Sequence, residues 1–266
     1  MFPSLVATDL DGTFLGGDRQ ASAENVAAML HACSLGIPVV VATGRPARWL
    51  DVLDPIRPAH PYVIASNGAV IYDLAAGEMV ERAVMDKALT LTVAHEMREV
   101  CPEIAFAIEF GIGYARETRY PVRGDFMEAD HVAELDEIIA TNDFVKLLVL
   151  SEDRTGDELA HALLPVCHER LTATWSMGGP MGLLEISSLG VTKASALRRL
   201  AQDLGVDLAD AVAFGDMPND LEMLHAVGHP YAMADCHPLL SAAGFPSAGG
   251  HDESGVGRTV ESLLKA

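Results

Sequence analysis

Short apolar runs recur toward both ends of the chain, and each stops at a polar turn. Leu5-Val-Ala before Thr8, Ile37 to Ala42, Tyr62 to Ser66 and Ala211 to Phe214 are continuous rather than alternating. That is the pattern of strands buried on both faces of a parallel sheet. Between the first two runs the period changes: Ala21 to Leu35 puts Val26, Leu30 and Cys33 on one helical face, and Gly36 marks its end. Ala47 to Leu53 reads as a short helix closed off by Pro55 and Pro58. Ser66-Asn-Gly-Ala69 turns back into Val70 to Asp73, and a turn containing Gly77 leads into Met79 to Arg82, an antiparallel hairpin. Late in the chain, Lys193 to Leu204 is helical and stops at Gly205. Ala211 to Phe214, Pro230 to Met233 and the region near Phe245 are expected to continue the parallel sheet.

The middle follows a different rhythm. Asp86 to Val100 is an amphipathic helix, followed by strand-like runs around Ile104 to Phe110, Phe144 to Leu150, Thr172 to Ser176 and Gly182 to Ser187. The helices Ala133 to Thr141 and Asp157 to Cys167 separate them. The pattern predicts an α/β fold with a core of residues 1–84 and 189–266, and an α+β domain of residues 85–188 inserted into it.

Polar residues cluster where the core strands end. Asp9 and Asp11 follow the first run, in Thr-Asp-Leu-Asp-Gly-Thr. Ligands of open α/β sheets bind at such a rim, and crowded carboxylates repel unless a cation or a shared proton intervenes. A divalent metal and phosphate chemistry is therefore the first expectation, although Asp-Gly also starts ordinary capped turns. The second run ends in Thr43-Gly44-Arg45-Pro46, where Pro46 suits a first helical position and Thr43 with the Gly44 backbone can offer donors to an anion. Lys193 follows Thr192, a plausible N-cap. A cation in a first helical turn opposes the helix dipole, which points to a purpose other than helix stability. Asp216, Asn219 and Asp220 crowd the turn after Ala211 to Phe214. Each segment alone has a bland reading as a strand end, a surface charge or a capping cluster; the ordered set of four is what carries the catalytic one.

That ordered set resembles the four motifs of the haloacid dehalogenase (HAD) superfamily, specifically its Cof-like, IIB-capped sugar phosphatases. The residues carrying it are Asp9 to Thr13, Thr43 to Arg45, Ser66-Asn-Gly-Ala69, Lys193 and Gly215 to Asp220, with echoes in Ala232-Met-Ala-Asp235 and Asp252 to Val256. Ala194 and Asp235 depart from the usual glycine and asparagine, and Asp235 adds negative charge near the metal side. The resemblance implies a HAD-like Rossmannoid sheet with an inserted cap that sets substrate specificity. It further implies a Mg²⁺-dependent phosphomonoesterase acting on sugar phosphates or similar small metabolites. Asp9 would be the nucleophile, forming an aspartyl-phosphate, and Asp11 the general acid and base. Asp9, Asp216 and Asp11, the last through its main-chain carbonyl, would ligate the metal, with Asp220 in support. Leu10, Thr43, Gly44, Lys193 and Asn219 would bind the phosphoryl group. Arg45 reads equally as a phosphate contact or as a surface or packing residue. A phosphomutase of the same superfamily, or a module that only binds a phosphate ligand, remain the alternatives.

Composition frames this reading. The 266 residues exceed the usual single-domain size, and half are hydrophobic. A formal charge of −20 weighs against nucleic-acid partners and requires a locally positive site for an anionic substrate. Four widely spaced cysteines without a Cys-x-x-Cys pair, no basic leader and no long apolar span suggest a reduced, cytoplasmic protein without membrane partners. Oligomeric state is not legible. The candidate cap residues for the substrate's organic part are Trp175 to Pro180, Glu185, Lys146 and Arg116, Arg119 and Arg123; core packing or a solvated loop explains most of them as well. His131, His161 and His225 read as surface or structural residues.

Overall fold

The computed structural model describes residues 2–122, 128–176 and 181–265. The chain opens with β1 (Val6–Thr8), α1 (Ala23–Ser34), β2 (Val39–Ala42), β3 (Tyr62–Ala65), β4 (Val70–Asp73) and β5 (Glu78–Arg82). Next come α2 (Lys87–Val100), β6 (Ala105–Glu109), β7 (Tyr114–Glu117), β8 (His131–Ala133), α3 (Leu135–Thr141), β9 (Lys146–Ser151), α4 (Gly156–Cys167), β10 (Leu171–Thr174) and β11 (Gly182–Ser188). The last elements are α5 (Lys193–Leu204), β12 (Val212–Gly215), α6 (Leu221–Ala226), β13 (His229–Ala232), α7 (Pro238–Ala243) and α8 (Gly255–Leu264). Two compact units result, one of Met1–Glu81 with Thr192–Ala266 and one of Arg82–Val191.

The first unit is built on a seven-stranded sheet in the order β13-β12-β1-β2-β3-β4-β5. β1 lies between β12 and β2, parallel to both, with Val6 opposite Val212 and Val39. Only the β3–β4 hairpin reverses direction among the registers from β13 to β4. Every residue of β1, β2 and β12 is buried, which explains their unbroken apolar sequence. Because β1 and β12 are neighbours in register, the chain following each of them leaves the sheet at the same edge. The sequence after β1 carries Asp9 and Asp11, and that after β12 carries Asp216 to Asp220.

Two expectations fail in this unit. Pro55 and Pro58 do not close a helix after Leu53; they lie inside a 3₁₀ helix spanning Asp51–Ala59. Its buried residues are Leu53, Ile56 and Ala59, a three-residue period that suits 3₁₀ rather than α geometry. The region near Phe245 does not add a strand: β13 ends the sheet, and a single bridge between Ala232 and Ser247 follows it. Phe245 instead packs at the buried cluster beneath the sheet, 4.9 Å from the His225 ring.

The second unit has a six-stranded sheet, β10-β11-β9-β6-β7-β8. Alternation sends Leu147, Val149, Phe106, Ile108, Leu184 and Ile186 into a cluster with Val93, Met97 and Leu163 from α2 and α4. Asp86 caps α2 by accepting from Leu89 N–H at 2.8 Å, and Thr155 and Glu158 form a reciprocal capping box at the start of α4. β7 and β8 were not expected from sequence. Arg116 and Arg119, read as loop arginines, donate to protein carbonyls: Arg116 to Glu117 O at 3.2 Å, Arg119 to Pro102 O and Glu103 O at 3.0 Å each. Arg123 and the 177–180 part of the Trp175 turn lie outside the described residues. Trp175 itself packs on the apolar cluster and donates from Nε1 to Asp157 Oδ1 at 2.8 Å.

Cys101 and Cys167 are buried, whereas Cys33 and Cys236 are part-exposed, and all four are free thiols. Burial, opposed by Arg170, pushes the Cys167 thiol up to about 12, and burial raises Cys101 as well. A chromogenic disulfide reagent at pH 8 is therefore expected to label Cys33 and Cys236 in the native protein and all four in denaturant. Rapid native labelling of Cys167 would contradict the packing described.

Candidate active site

Asp9 follows β1 directly, and its N–H donates to Phe214 O of β12 at 2.9 Å. This continues the β1–β12 ladder and fixes the residue at the sheet edge. Lys193, the first residue of α5, is placed by the cap before it: Thr192 Oγ1 accepts from Ser195 N–H at 3.1 Å, and Ser195 Oγ accepts from Thr192 N–H at 3.0 Å. The loop Ser66 to Gly68 braces that helix start. All three residues have positive φ, and a Cβ on Gly68 (φ +102°) would collide with the Thr192 carbonyl.

At the centre, Lys193 Nζ donates to Asp9 Oδ1 at 2.5 Å and to Asp220 Oδ1 at 2.7 Å. The three side chains are almost fully inaccessible, at 1% for Lys193, 8% for Asp9 and 0% for Asp220. Asp220 uses its other oxygen to accept from the N–H groups of Asp216 and Met217, both at 3.1 Å. It thus ties the β12 turn to the lysine. Asp216 Oδ1 accepts from Thr13 Oγ1 at 3.0 Å. Gly12, at φ +77°, leaves the space that Asp216 Oδ2 occupies; any Cβ there would overlap it.

Asp9, Asp216 and Asp220 offer carboxylate oxygens that all lie within 4.8 Å of one another. Burial raises the Asp9 carboxyl well above its usual range; Lys193 opposes this, and the charges of Asp220 and Asp216 reinforce it. Burial, then Asp220, pushes Asp216 up to about 7. Burial works against the Lys193 ammonium, but Asp220 and Asp9 outweigh it and raise its pKa. One ammonium thus faces two buried acids and the part-buried Asp216, and the carboxyls of Asp9 and Asp216 are shifted toward their neutral forms. Such an all-oxygen donor set fits a hard divalent cation, which would remove the excess negative charge. Asp220 already spends both oxygens on Lys193 and the turn, so Asp9 and Asp216 are the better ligands.

The other residues expected at the site fall around this centre. Thr43 is buried; its N–H donates to Ile64 O at 2.8 Å, its carbonyl accepts from Asn67 N–H at 3.0 Å, and its Oγ1 accepts from Arg45 N–H at 3.0 Å. This pins the turn containing Gly44. Leu10 is fully buried, and its carbonyl accepts from Leu15 N–H at 2.8 Å. Asn219 donates from Nδ2 to Asn67 Oδ1 at 3.0 Å. The Asp11 side chain is not part of the buried cluster. It is half-exposed, and the Arg45 guanidinium grips it through Nε at 2.7 Å and Nη2 at 2.5 Å. Neither reading left open for Arg45 included this ion pair with Asp11, which the fold forms. Asp235 pairs with His251 Nδ1 at 2.5 Å.

Sequence reasoning gave no individual role to Thr13 or Asn67. Both stand inside runs already singled out, and the Asn-Gly turn signal at Asn67-Gly68 is the cue that a special backbone was required there. In the second unit, Lys146 and Glu185, considered separately from sequence, meet directly. Lys146 Nζ lies 2.6 Å from Glu185 Oε1 and 3.3 Å from Glu109 Oε2, and all three are buried. Ser176 Oγ also donates to Glu185, at 2.8 Å.

The family model for haloacid dehalogenase-like hydrolases matches residues 6–259. A putative phosphatase from Streptococcus pyogenes is 26% identical, the alignment covering 98% of each chain. The Bacillus subtilis protein YwtE, a 5-amino-6-(5-phospho-D-ribitylamino)uracil phosphatase, is 28% identical over 97% of each. Among solved structures, the HAD subclass IIB sugar phosphatase BT4131 superposes with a TM-score of 0.80 at 16% identity, covering 99% of this chain and 100% of that one. This last likeness is one of fold.

Replacing Lys193 by Met would leave Asp9 and Asp220 buried without their counter-charge. The expected loss is about 3–5 kcal/mol, read by denaturant unfolding at pH 7 with chelator present. Adding Asp220→Asn to that background should return part of it. An unchanged unfolding midpoint for Lys193→Met would show that the lysine is not the partner of these acids.

Proposed function

Since the chain belongs to the haloacid dehalogenase-like hydrolases, we propose that it is a Mg²⁺-dependent phosphomonoesterase acting on sugar phosphates or similar small phosphorylated metabolites. It is a phosphatase, as its curated relatives are named. The observation that carries the finer reading is the Asp9 carboxylate, fixed at the end of β1 between Lys193 and the acids of the β12 turn.

Phosphate monoesters hydrolyse very slowly in water, because an anionic centre repels nucleophiles and the leaving oxygen departs as a poor anion. Asp9 attacks phosphorus, its carboxylate oxygen forms the new P–O bond as the ester P–O bond breaks, and the protein carries an aspartyl-phosphate. Asp11 gives a proton to the leaving oxygen, then takes one from the water that hydrolyses the intermediate. Lys193, Asn219, Thr43 and the backbone at Leu10 and Gly44 surround the phosphoryl oxygens and stabilise their charge. Asp9 and Asp216, with the Asp11 carbonyl, would hold Mg²⁺ while Asp220 orients the lysine and the turn. The ion supplies a fixed positive charge for the phosphoryl oxygens. Substrate selection falls to the second unit, residues 82–191, acting as a cap. The preference for sugar or polyol phosphates is supported by the name of YwtE, which refers to a phosphorylated ribityl compound.

The test is turnover of p-nitrophenyl phosphate and of a panel of sugar phosphates, with Mg²⁺ and with chelator. Activity is expected only with the metal, and Asp9→Asn should abolish it. Acid-quenched wild-type protein should gain the mass of one phosphoryl group on a peptide containing Asp9. Full activity of Asp9→Ala would remove the covalent mechanism, and undiminished activity in chelator would remove the metal.

A further inference from the structure

The four acids near the site differ in how they are held. Asp9, Asp216 and Asp220 are bound to Lys193, Thr13 and backbone N–H groups inside the cluster. The Asp11 carboxylate stands outside it, with both oxygens on Arg45: Oδ2 on Nε at 2.7 Å and Oδ1 on Nη2 at 2.5 Å. Such a two-point fork fixes the plane of a carboxylate as well as its position.

Arg45 is itself firmly placed. Its side chain is only 15% exposed against 52% for Asp11. Its N–H donates to Thr43 Oγ1 at 3.0 Å, its carbonyl accepts from Ser66 N–H at 2.9 Å, and Nη1 reaches Trp49 O at 3.4 Å. One edge of the guanidinium is thus anchored to backbone, and the other edge is presented to Asp11. The more buried partner is the clamp, and the more exposed one is what it orients.

We propose that Arg45 is a positioning residue for Asp11, acting chiefly on hydrolysis of the phosphorylated protein. The inference rests on the aspartyl-phosphate reading above. In that step water attacks phosphorus, the bond from phosphorus to the Asp9 oxygen breaks with its electron pair returning to the Asp9 carboxylate, and the water proton passes to the Asp11 carboxylate. A base that can swing freely about its side-chain bonds meets the water less often than one fixed by a fork.

The test separates this role from phosphate binding. With p-nitrophenyl phosphate the leaving group departs without needing an acid, so kcat/KM reports events up to nitrophenol release, and kcat includes the later attack of water. For Arg45→Met, kcat and KM should fall together by about tenfold, a part of the ~10²–10⁴ that general-base catalysis supplies, with kcat/KM within about twofold of wild type. Stopped flow should then show a burst of about one nitrophenol per protein before the slower steady rate, as expected when the second step limits. Arg45→Lys, which keeps the charge but not the fork, should show the same burst, and serves if the Met variant folds poorly by circular dichroism. A raised KM with kcat/KM falling in parallel would mean that Arg45 binds the substrate phosphate, and wild-type kinetics would mean that it does neither; either overturns the proposal. Full activity of Asp9→Ala would instead sink the covalent mechanism itself.

Discussion

A single ammonium group between two buried carboxylates organises the first unit's working edge. Lys193 stands at the first turn of α5, where a cation opposes the helix dipole, and it is inaccessible to water. Its stability there depends on Asp9 from the end of β1 and Asp220 from the turn after β12. Removing the lysine would leave two carboxylates without a counter-charge in a low-dielectric place. The same triad joins three segments that are distant in sequence, so a local electrostatic requirement becomes a constraint on the fold. It is also incomplete in charge, because Asp216 brings a third acid against one lysine. That imbalance is the physical reason to expect a divalent cation, and it stands apart from any likeness to other proteins.

Much of this was legible in the sequence because its signals are local. A continuous apolar run followed by acids and glycine fixes a buried strand and its polar end, as at Leu5 to Gly12 and Ala211 to Asp220. Lys193 was visible as a charge placed against the dipole. Pairings between distant side chains were not legible. Arg45 could be read as a phosphate contact or a surface residue, and its grip on Asp11 spans 34 positions that no spacing rule covers. Thr13 and Asn67 are ordinary turn residues until the fold brings Asp216 and Asn219 beside them.

The misread elements have equally specific causes. Pro55 and Pro58 are helix breakers by α-helical rules, but the three-residue spacing of Leu53, Ile56 and Ala59 buries one side of a 3₁₀ helix instead. β7 carries Arg116 and Glu117 and so looks like a charged loop. Its Glu117 is buried because Arg98 Nη2, at 2.6 Å, and Phe106 N–H, at 2.8 Å, satisfy it, and both partners come from other elements. Lys146 shows the same rule: burial pushes against its charge, Glu185 and Glu109 outweigh that, and its pKa is raised. Among the described residues, then, charged side chains on the second unit's strands follow their partners rather than their hydropathy.

The excess negative charge around Lys193 calls for a cation between Asp9 and Asp216. Crystals grown or soaked with Mn²⁺, measured for anomalous scattering, test this most directly. A strong peak is expected between the side chains of Asp9 and Asp216, lost in Asp216→Asn. An ordered crystal with no peak there, or with the ion bound elsewhere while those carboxylates keep their present partners, would contradict it.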